Sequence, residues 1–370
     1  MLHRLSPPAV QVEENLFALV GRQRQLLHFA CSHTDYDEGA FRSELGDSFA
    51  DWIQAGRHSC LLDDFKQLIS CATVDKRLVL ADFNHDQKFW EQSDSATFQF
   101  AFSPSKTAAH QHAKECLNAF YKSLNSLARL LPVPQQFKRK NVVDGYIATN
   151  PFLARICPCC EGDWSEQVSR SQTPYTLEHF FHKGEHPTIC LHPYNLIPMC
   201  DVCNSRRGNK EMLHSETGTY IGIDKIFHPL LRPAIECVEL QYYSIDLNKP
   251  EKLKFVNLPT QLDDWSEAIE GYNFVYEIPK RWQERWNEID GIIATQVRVA
   301  LNAHYYSQQS PISRIDFERI LSGIILGLNK SAARYHYPAQ RWLTWAKQYK
   351  LQDLYEAHVM ERGLHLSNAL

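Results

Sequence analysis

Two Cys-x-x-Cys pairs, Cys157–Cys160 and Cys200–Cys203, constrain this chain more than any other feature. Each pair can aim two thiolates at one point from a tight turn, and four thiolates complete a closed tetrahedral shell around zinc. Six of the eleven cysteines fall between Cys157 and Cys203. That crowding, in a chain with far too few cysteines for a disulfide scaffold, points to a metal held in a reducing compartment. Cys159 and Cys190 are surplus to the shell. His192 and Cys190 could substitute as ligands but lack the knuckle spacing, and they are left out of the shell.

The surrounding chain has 370 residues, enough for two to three domains. Hydrophobic residues make up 44% and charged residues 22%, the balance of a globular protein rather than a disordered or fibrous one. Lys and Arg number 39 against 43 Asp and Glu, a formal charge of −4, so no global positive field advertises nucleic acid and any basic contact must be local. The N-terminus, MLHRLSPPAV, has no apolar signal core, and no apolar run approaches the length of a membrane span. A cytoplasmic location with no membrane partner is the expectation.

Three stretches follow one another. Apolar residues recur at helical spacing over Glu13–Cys31, Ser59–Ala72 and His112–Leu130, which predicts a helical N-terminal domain over residues 1–135. Pro132-Val133-Pro134 stops the last helix, and a boundary falls between Pro132 and Lys140. Residues 136–215 carry the cysteines. Residues 216–370 read as strands over Val238–Ile245 and Leu253–Leu258, then helices over Lys280–His304, Arg314–Leu328 and Ala339–His358. The class expected is α+β: a mainly helical protein with a small central zinc-stapled unit. Trp282 and Trp286, four apart, read as core anchors. Gly323 and Gly327 read as a helix contact, and Asp82, His85 and Asp86 as exposed turn residues rather than a second metal cluster.

A closed zinc shell offers no open coordination position, so chemistry has to lie between the knuckles. There Glu178-His179 follows the strand-like Tyr175-Thr176-Leu177, Asn195 opens the apolar Leu196-Ile197, and Asn204 directly follows Cys203. These elements, Cys157-x-x-Cys160, Leu177-Glu178-His179-Phe180, Asn195-Leu196-Ile197-Pro198-Met199-Cys200 and Cys203-Asn204-Ser205-Arg206-Arg207-Gly208, resemble in order the HNH endonucleases of the ββα-metal (His-Me finger) superfamily. The flanking layout is similar to the HNH proteins of bacterial anti-phage systems that work beside an ATPase, notably the Septu type.

The resemblance implies a role for each residue. His179 matches the general base that takes a proton from water. Glu178 and Asn204 match the ligands of one hard divalent ion, Mg²⁺ with Mn²⁺ as its substitute. Asn195 matches the middle letter, its amide pinning the hairpin that carries the base. Lys183, Arg206, Arg207 and Lys210 are candidates for contacts to backbone phosphates. Two departures stand out: Glu178 replaces the usual Asp, and His182 replaces a usual Pro, reading either as a solvated side chain or as one more metal or phosphate contact.

The implied function is phosphodiester hydrolysis, of DNA before RNA. From Lys138 to Lys210 the chain carries nine basic and seven acidic residues, and four thiolates around Zn²⁺ cancel that excess. Tight unspecific DNA binding is not expected of the chain alone, and the Lys138-Arg139-Lys140 triplet is the best auxiliary contact. No phosphate loop, dinucleotide fingerprint or nucleophile elbow occurs, so any ATPase is a partner acting in trans. The alternative is a catalytically silent zinc module that binds nucleic acid or tethers a partner protein.

Overall fold

The apolar repeat over Glu13–Cys31 becomes helix α1 (Val10–Ser32), the first element in a computed structural model that describes residues 2–55, 61–131, 137–162, 176–214, 217–243, 250, 252–258, 263–308, 310–330 and 335–360. α2 (Glu38–Leu45) and α3 (Asp47–Gln54) follow. Asp37 starts α2 by accepting from the Ala40 amide at 2.7 Å, and Gly46, at φ 91°, takes the left-handed turn that separates the two helices. α4 (Leu61–Ser70) and α5 (Thr73–Asp86) pack against α1, and α6 (Ala108–Lys122) closes on both. Phe29, Phe41, Phe49 and Phe65 meet edge to face or tilted at their centre, all 2% exposed or less. The expected long helix over His112–Leu130 ends instead at Lys122, and Leu124–Leu130 continues as a tighter 3₁₀ helix. α7 (Arg139–Thr149) then leads to the first knuckle.

A short antiparallel hairpin of β1 (Thr176–His179) and β2 (Leu196–Met199) follows, and β2 runs directly into α8 (Asp201–Arg207). After α9 (Ala234–Cys237), the expected β-runs appear as β3 (Val238–Tyr243) and β4 (Lys252–Asn257), paired antiparallel. Among the described residues the molecule is thus mainly helical with two small two-stranded sheets. α10 (Ser266–Tyr276), α11 (Ile278–Glu284), α12 (Trp286–Gln308), α13 (Arg314–Lys330), α14 (His336–Tyr349) and α15 (Leu351–Tyr355) follow. Trp282 and Trp286 are buried at 1% and 3% exposure, although a break at Arg285 puts them on separate helices. Tyr175 and residues 132–136 lie outside the described residues. No helix among the described residues is long and apolar enough to cross a membrane.

Two expectations need correction. Gly323 and Gly327 do not make a tight helix contact; a Cβ on either would meet open space, and both line a cavity of about 440 Å³ with Ala300 and Ile324. Asp82 and Asp86 are not exposed turn residues but buried side chains of α5. Asp82 accepts from His110 Nε2 at 3.0 Å and Lys106 Nζ at 2.7 Å. Asp86 accepts from the Ala101 and Phe102 amides at 2.7 and 3.4 Å and from Thr188 Oγ1 at 2.8 Å. The amphipathic pattern of α5 is weak because its inner face carries these hydrogen-bonded carboxylates in place of apolar groups. Asp86 also ties the helical N-terminal stretch to the segment between the knuckles.

Burial pushes the Asp86 carboxyl up to about 6, against the hydrogen bonds that favour its ionised form. A carboxyl whose folded pKa is raised holds its proton more tightly when folded, so its contribution to stability is full below about pH 4 and is lost as pH rises through 6. Asp86→Asn cannot titrate. The unfolding free energy of wild type minus that of Asp86→Asn, from denaturant titrations, should therefore fall by about 2 kcal/mol between pH 4 and pH 7; a flat difference would contradict the raised pKa.

Candidate functional site

The two knuckles meet. Sγ of Cys157 lies 3.9 Å from that of Cys203, Cys160 Sγ lies 3.8 Å from Cys200 Sγ, and all four sulfurs fall within 4.8 Å of one another. A metal at 2.3 Å from four tetrahedral sulfurs separates them by about 3.8 Å, whereas a disulfide would bring a pair to about 2.05 Å. The four residues are 0–4% exposed. Backbone amides of Cys159, Gly162 and Cys203 point at Cys157, Cys160 and Cys200 sulfurs at 3.4 Å, and Arg281 Nη1 reaches Cys203 Sγ at 3.1 Å. Donors converging on sulfur stabilise thiolate, the form that binds metal. Hydrogen bonds from its three neighbours hold the Cys160 thiol well below its usual range, while burial pushes Cys157 and Cys203 well up. Four buried cysteines placed in this way can hold a metal ion. Cys159 and Cys190 stand outside the cluster: Cys190 donates to the Leu117 carbonyl at 3.3 Å.

The knuckles are built by local chemistry. Cys200 doubles as the N-cap of α8, its sulfur accepting from the Cys203 amide, and Gly208, at φ 51°, ends the helix with its amide on the Asn204 carbonyl at 3.1 Å. The first knuckle turns at Glu161, a non-glycine residue at φ 57°. Its carboxylate pairs with His3 at 2.7 Å and accepts from the Tyr337 amide at 2.8 Å. α10 and α11 cover the knuckle from outside: Tyr272 donates to the Cys159 carbonyl at 3.0 Å and Trp282 Nε1 to the Cys160 carbonyl at 2.9 Å.

Beside this staple, the hairpin and α8 set the expected residues. In the register of β1 on β2, Glu178 pairs with Ile197 and His179 with Leu196, so the two side chains leave opposite faces of the strand. Glu178 turns toward α8, and Asn204 Nδ2 donates to its Oε1 at 2.9 Å. Burial raises the Glu178 carboxyl, while the charges of Lys183, Arg207 and Arg139 and the bond from Asn204 oppose that shift. His179 is 1% exposed, its Nε2 3.0 Å from the Cys190 carbonyl oxygen. A carbonyl can only accept, so Nε2 carries the proton and Nδ1 keeps its lone pair. Burial, with Lys183 and Arg207 nearby, holds this histidine well below its usual range and hence neutral. The Tyr121 ring packs edge-on against it, centroids 4.1 Å apart.

Asn195 is fully buried and bonds backbone on both sides: its Oδ1 accepts from the Phe181 amide at 2.6 Å, and its Nδ2 donates to the Phe181 and Ile189 carbonyls at 3.2 and 3.1 Å. The four basic candidates scatter. Arg207 is 2% exposed, with Nη2 on the Phe180 carbonyl at 2.8 Å. Arg206 pairs with Glu277 at 2.9 Å, and Lys210 donates to the Phe274 carbonyl at 2.8 Å. Lys183 lies half-buried with its ammonium 5.6 Å from the Tyr121 ring centroid. The exposed Arg139 sets its guanidinium 4.4 Å from the centroid of the same ring and donates to the Tyr121 carbonyl at 3.3 Å. Neither Tyr121 nor Arg281 carried a signal in the sequence, because no motif links α6 or α11 to the knuckles; Arg139 was legible only as part of a basic triplet. His182 is half-buried, and burial lowers it to about 4.

No known protein family, no curated protein and no solved structure matches the chain.

If the four sulfurs hold a metal, Cys200→Ser should lose it, by elemental analysis, and lower the thermal midpoint by roughly 10 °C, because the shell contributes folding free energy directly. Cys190→Ser, at a buried cysteine outside the cluster, should keep the metal. Equal metal content in both variants would remove the assignment.

Proposed function

We propose that the chain is a divalent-metal-dependent nuclease of the HNH type, with zinc as the structural ion of Cys157, Cys160, Cys200 and Cys203. The observation that carries this reading is the bond between Asn204 and Glu178, made across a strand–strand–helix unit whose strand also carries a neutral histidine with a lone pair on Nδ1. Asn204 donates its amide nitrogen to Glu178 Oε1 at 2.9 Å, so the two side chains that the resemblance makes metal ligands lie in contact. Carboxylate and carboxamide oxygens suit a hard cation. Mg²⁺ or Mn²⁺ bound there would stabilise charge on the phosphate and the departing oxygen. His179 would take the proton from the attacking water through Nδ1, its ring held by Nε2 on the Cys190 carbonyl. Lys183 and Arg139, the cations beside Glu178 that face solvent, would meet phosphate oxygens.

DNA is the first substrate to test and RNA the second. The resemblance to Septu-type anti-phage proteins extends the proposal to bacterial defence with an ATPase partner in trans, since the chain has no phosphate loop of its own. A second reading, the silent zinc module, draws support from one observation: His179 is 1% exposed beneath Tyr121.

One variant separates the two. His179→Ala should lower plasmid cleavage in Mg²⁺ by about 10³-fold or more while zinc content and thermal midpoint stay near wild type. Cleavage by His179→Ala at the wild-type rate would leave the silent module as the better account, and full activity after removal of all labile divalent ions would dismiss the Glu178–Asn204 site.

A further inference from the structure

The three residues after His179 leave the end of β1 without a strand partner for their full length, yet their backbone is bonded throughout. Phe180 donates its amide to the Asn195 carbonyl at 2.7 Å, and its own carbonyl accepts from Arg207 Nη2 at 2.8 Å. The Phe181 amide and carbonyl both go to the Asn195 side chain. The His182 amide donates to Glu211 Oε1 at 2.6 Å. Three side chains, from the turn just before β2, the end of α8 and the segment just beyond it, thus seize three consecutive residues.

Two of these are ionisable groups at 2% and 8% exposure. Burying a guanidinium and a carboxylate costs several kcal/mol, and apolar side chains of equal volume would pack there without it. Among the described residues neither group is fully satisfied: Arg207 Nε and Glu211 Oε2 have no hydrogen-bond partner, and His186 Nε2 stays 3.8 Å from Glu211 Oε2. Burial accordingly lifts the Glu211 carboxyl to about 7. What the pair supplies and an apolar pair cannot is directed bonding to the backbone on either side of Phe181.

We propose that Arg207 and Glu211 are positioning residues, which with Asn195 clamp residues 180–182 and so hold His179 at one end of the segment and Lys183 at the other. The effect on cleavage rests on the nuclease reading; the clamp itself rests on geometry alone. Arg207 therefore acts through the loop backbone rather than on phosphate.

The test compares full-length Glu211→Ala, which removes the acceptor, with Glu211→Gln, which keeps an oxygen for the His182 amide. Amide hydrogen exchange over residues 180–186 and steady-state cleavage of a duplex oligonucleotide in Mg²⁺ are measured on both. Glu211→Ala should exchange faster at 180–183, keep wild-type exchange at residues 200–203, and lose roughly 10- to 100-fold in kcat with KM unchanged; Glu211→Gln should stay within about threefold of wild type on every readout. The proposal is overturned if Glu211→Ala exchanges or turns over like wild type, or if Glu211→Gln falls as far as Glu211→Ala. Should Glu211→Ala fail to fold, Arg207→Met takes its place with Arg207→Lys as the rescue: faster exchange and slower turnover in the first, restored by the second, support the clamp, and any other pattern overturns it. His179→Ala run alongside identifies failure of the nuclease reading, and the exchange data then still decide the clamp.

Discussion

The convergence of four cysteine sulfurs is the interaction on which the rest of the structure depends. α8 has seven residues, too few to hold a helix by itself. It exists because Cys200 caps its first turn, Cys203 is drawn to the partner knuckle, and Gly208 releases the chain after its last turn. The hairpin is no more independent: four residue pairs of β-ladder are marginal without a surface to pack on. Gathering the sulfurs therefore does two things at once. It builds the helix that carries Asn204 and Arg207, and it presses that helix against the strand that carries Glu178 and His179.

The parts of the chain outside the cysteine segment act as its mould. Glu161, held in a left-handed conformation at the turn of the first knuckle, receives His3 from the N-terminus and the Tyr337 amide from α14. α10 and α11 contribute Tyr272, Arg281 and Trp282 to the carbonyls and sulfur of the same cluster. From the N-terminal side, Asp86 holds Thr188 and Gln23 holds Cys190, whose carbonyl orients the His179 ring. A buried hydrophobic cluster runs without interruption from Leu2 to Val359, so the three stretches distinguished by composition share one interior.

How much of this was legible depended on the range of the interaction. The four-cysteine cluster and the helices α1, α4 and α6 could be read directly, since knuckle spacing and the 3.6-residue repeat are local properties of the chain. Asn195 and Asn204 were legible as motif letters, and each makes bonds that its amide chemistry permits. Asp86 escaped because its partners lie 15 and 102 positions away, and a carboxylate on a helix reads as exposed until those partners are known. Arg207 misled for the same reason: a guanidinium beside a glycine looks solvated until the Phe180 carbonyl it serves is in place. Glu161 and Glu211 carried no pattern at all, being single acidic residues whose meaning comes from backbone amides they meet in the fold.

The distribution of charge around Glu178 follows from this division of labour. Three nearby basic residues, Arg206, Arg207 and Lys210, are engaged with Glu277 and with backbone carbonyls. Lys183 and Arg139 are both set against Tyr121, Arg139 also donating to the Tyr121 carbonyl, and Arg139 belongs to α7 rather than to the segment between the knuckles. Two point charges beside a half-buried carboxylate give little unspecific affinity, since that grows with the number of phosphates neutralised. They do act on Glu178, for the charges of both oppose the upward shift that burial gives its carboxyl. The candidate site is therefore composite, its carboxylate and carboxamide carried by β1 and α8 and its nearby positive charge shared between the loop after β1 and α7.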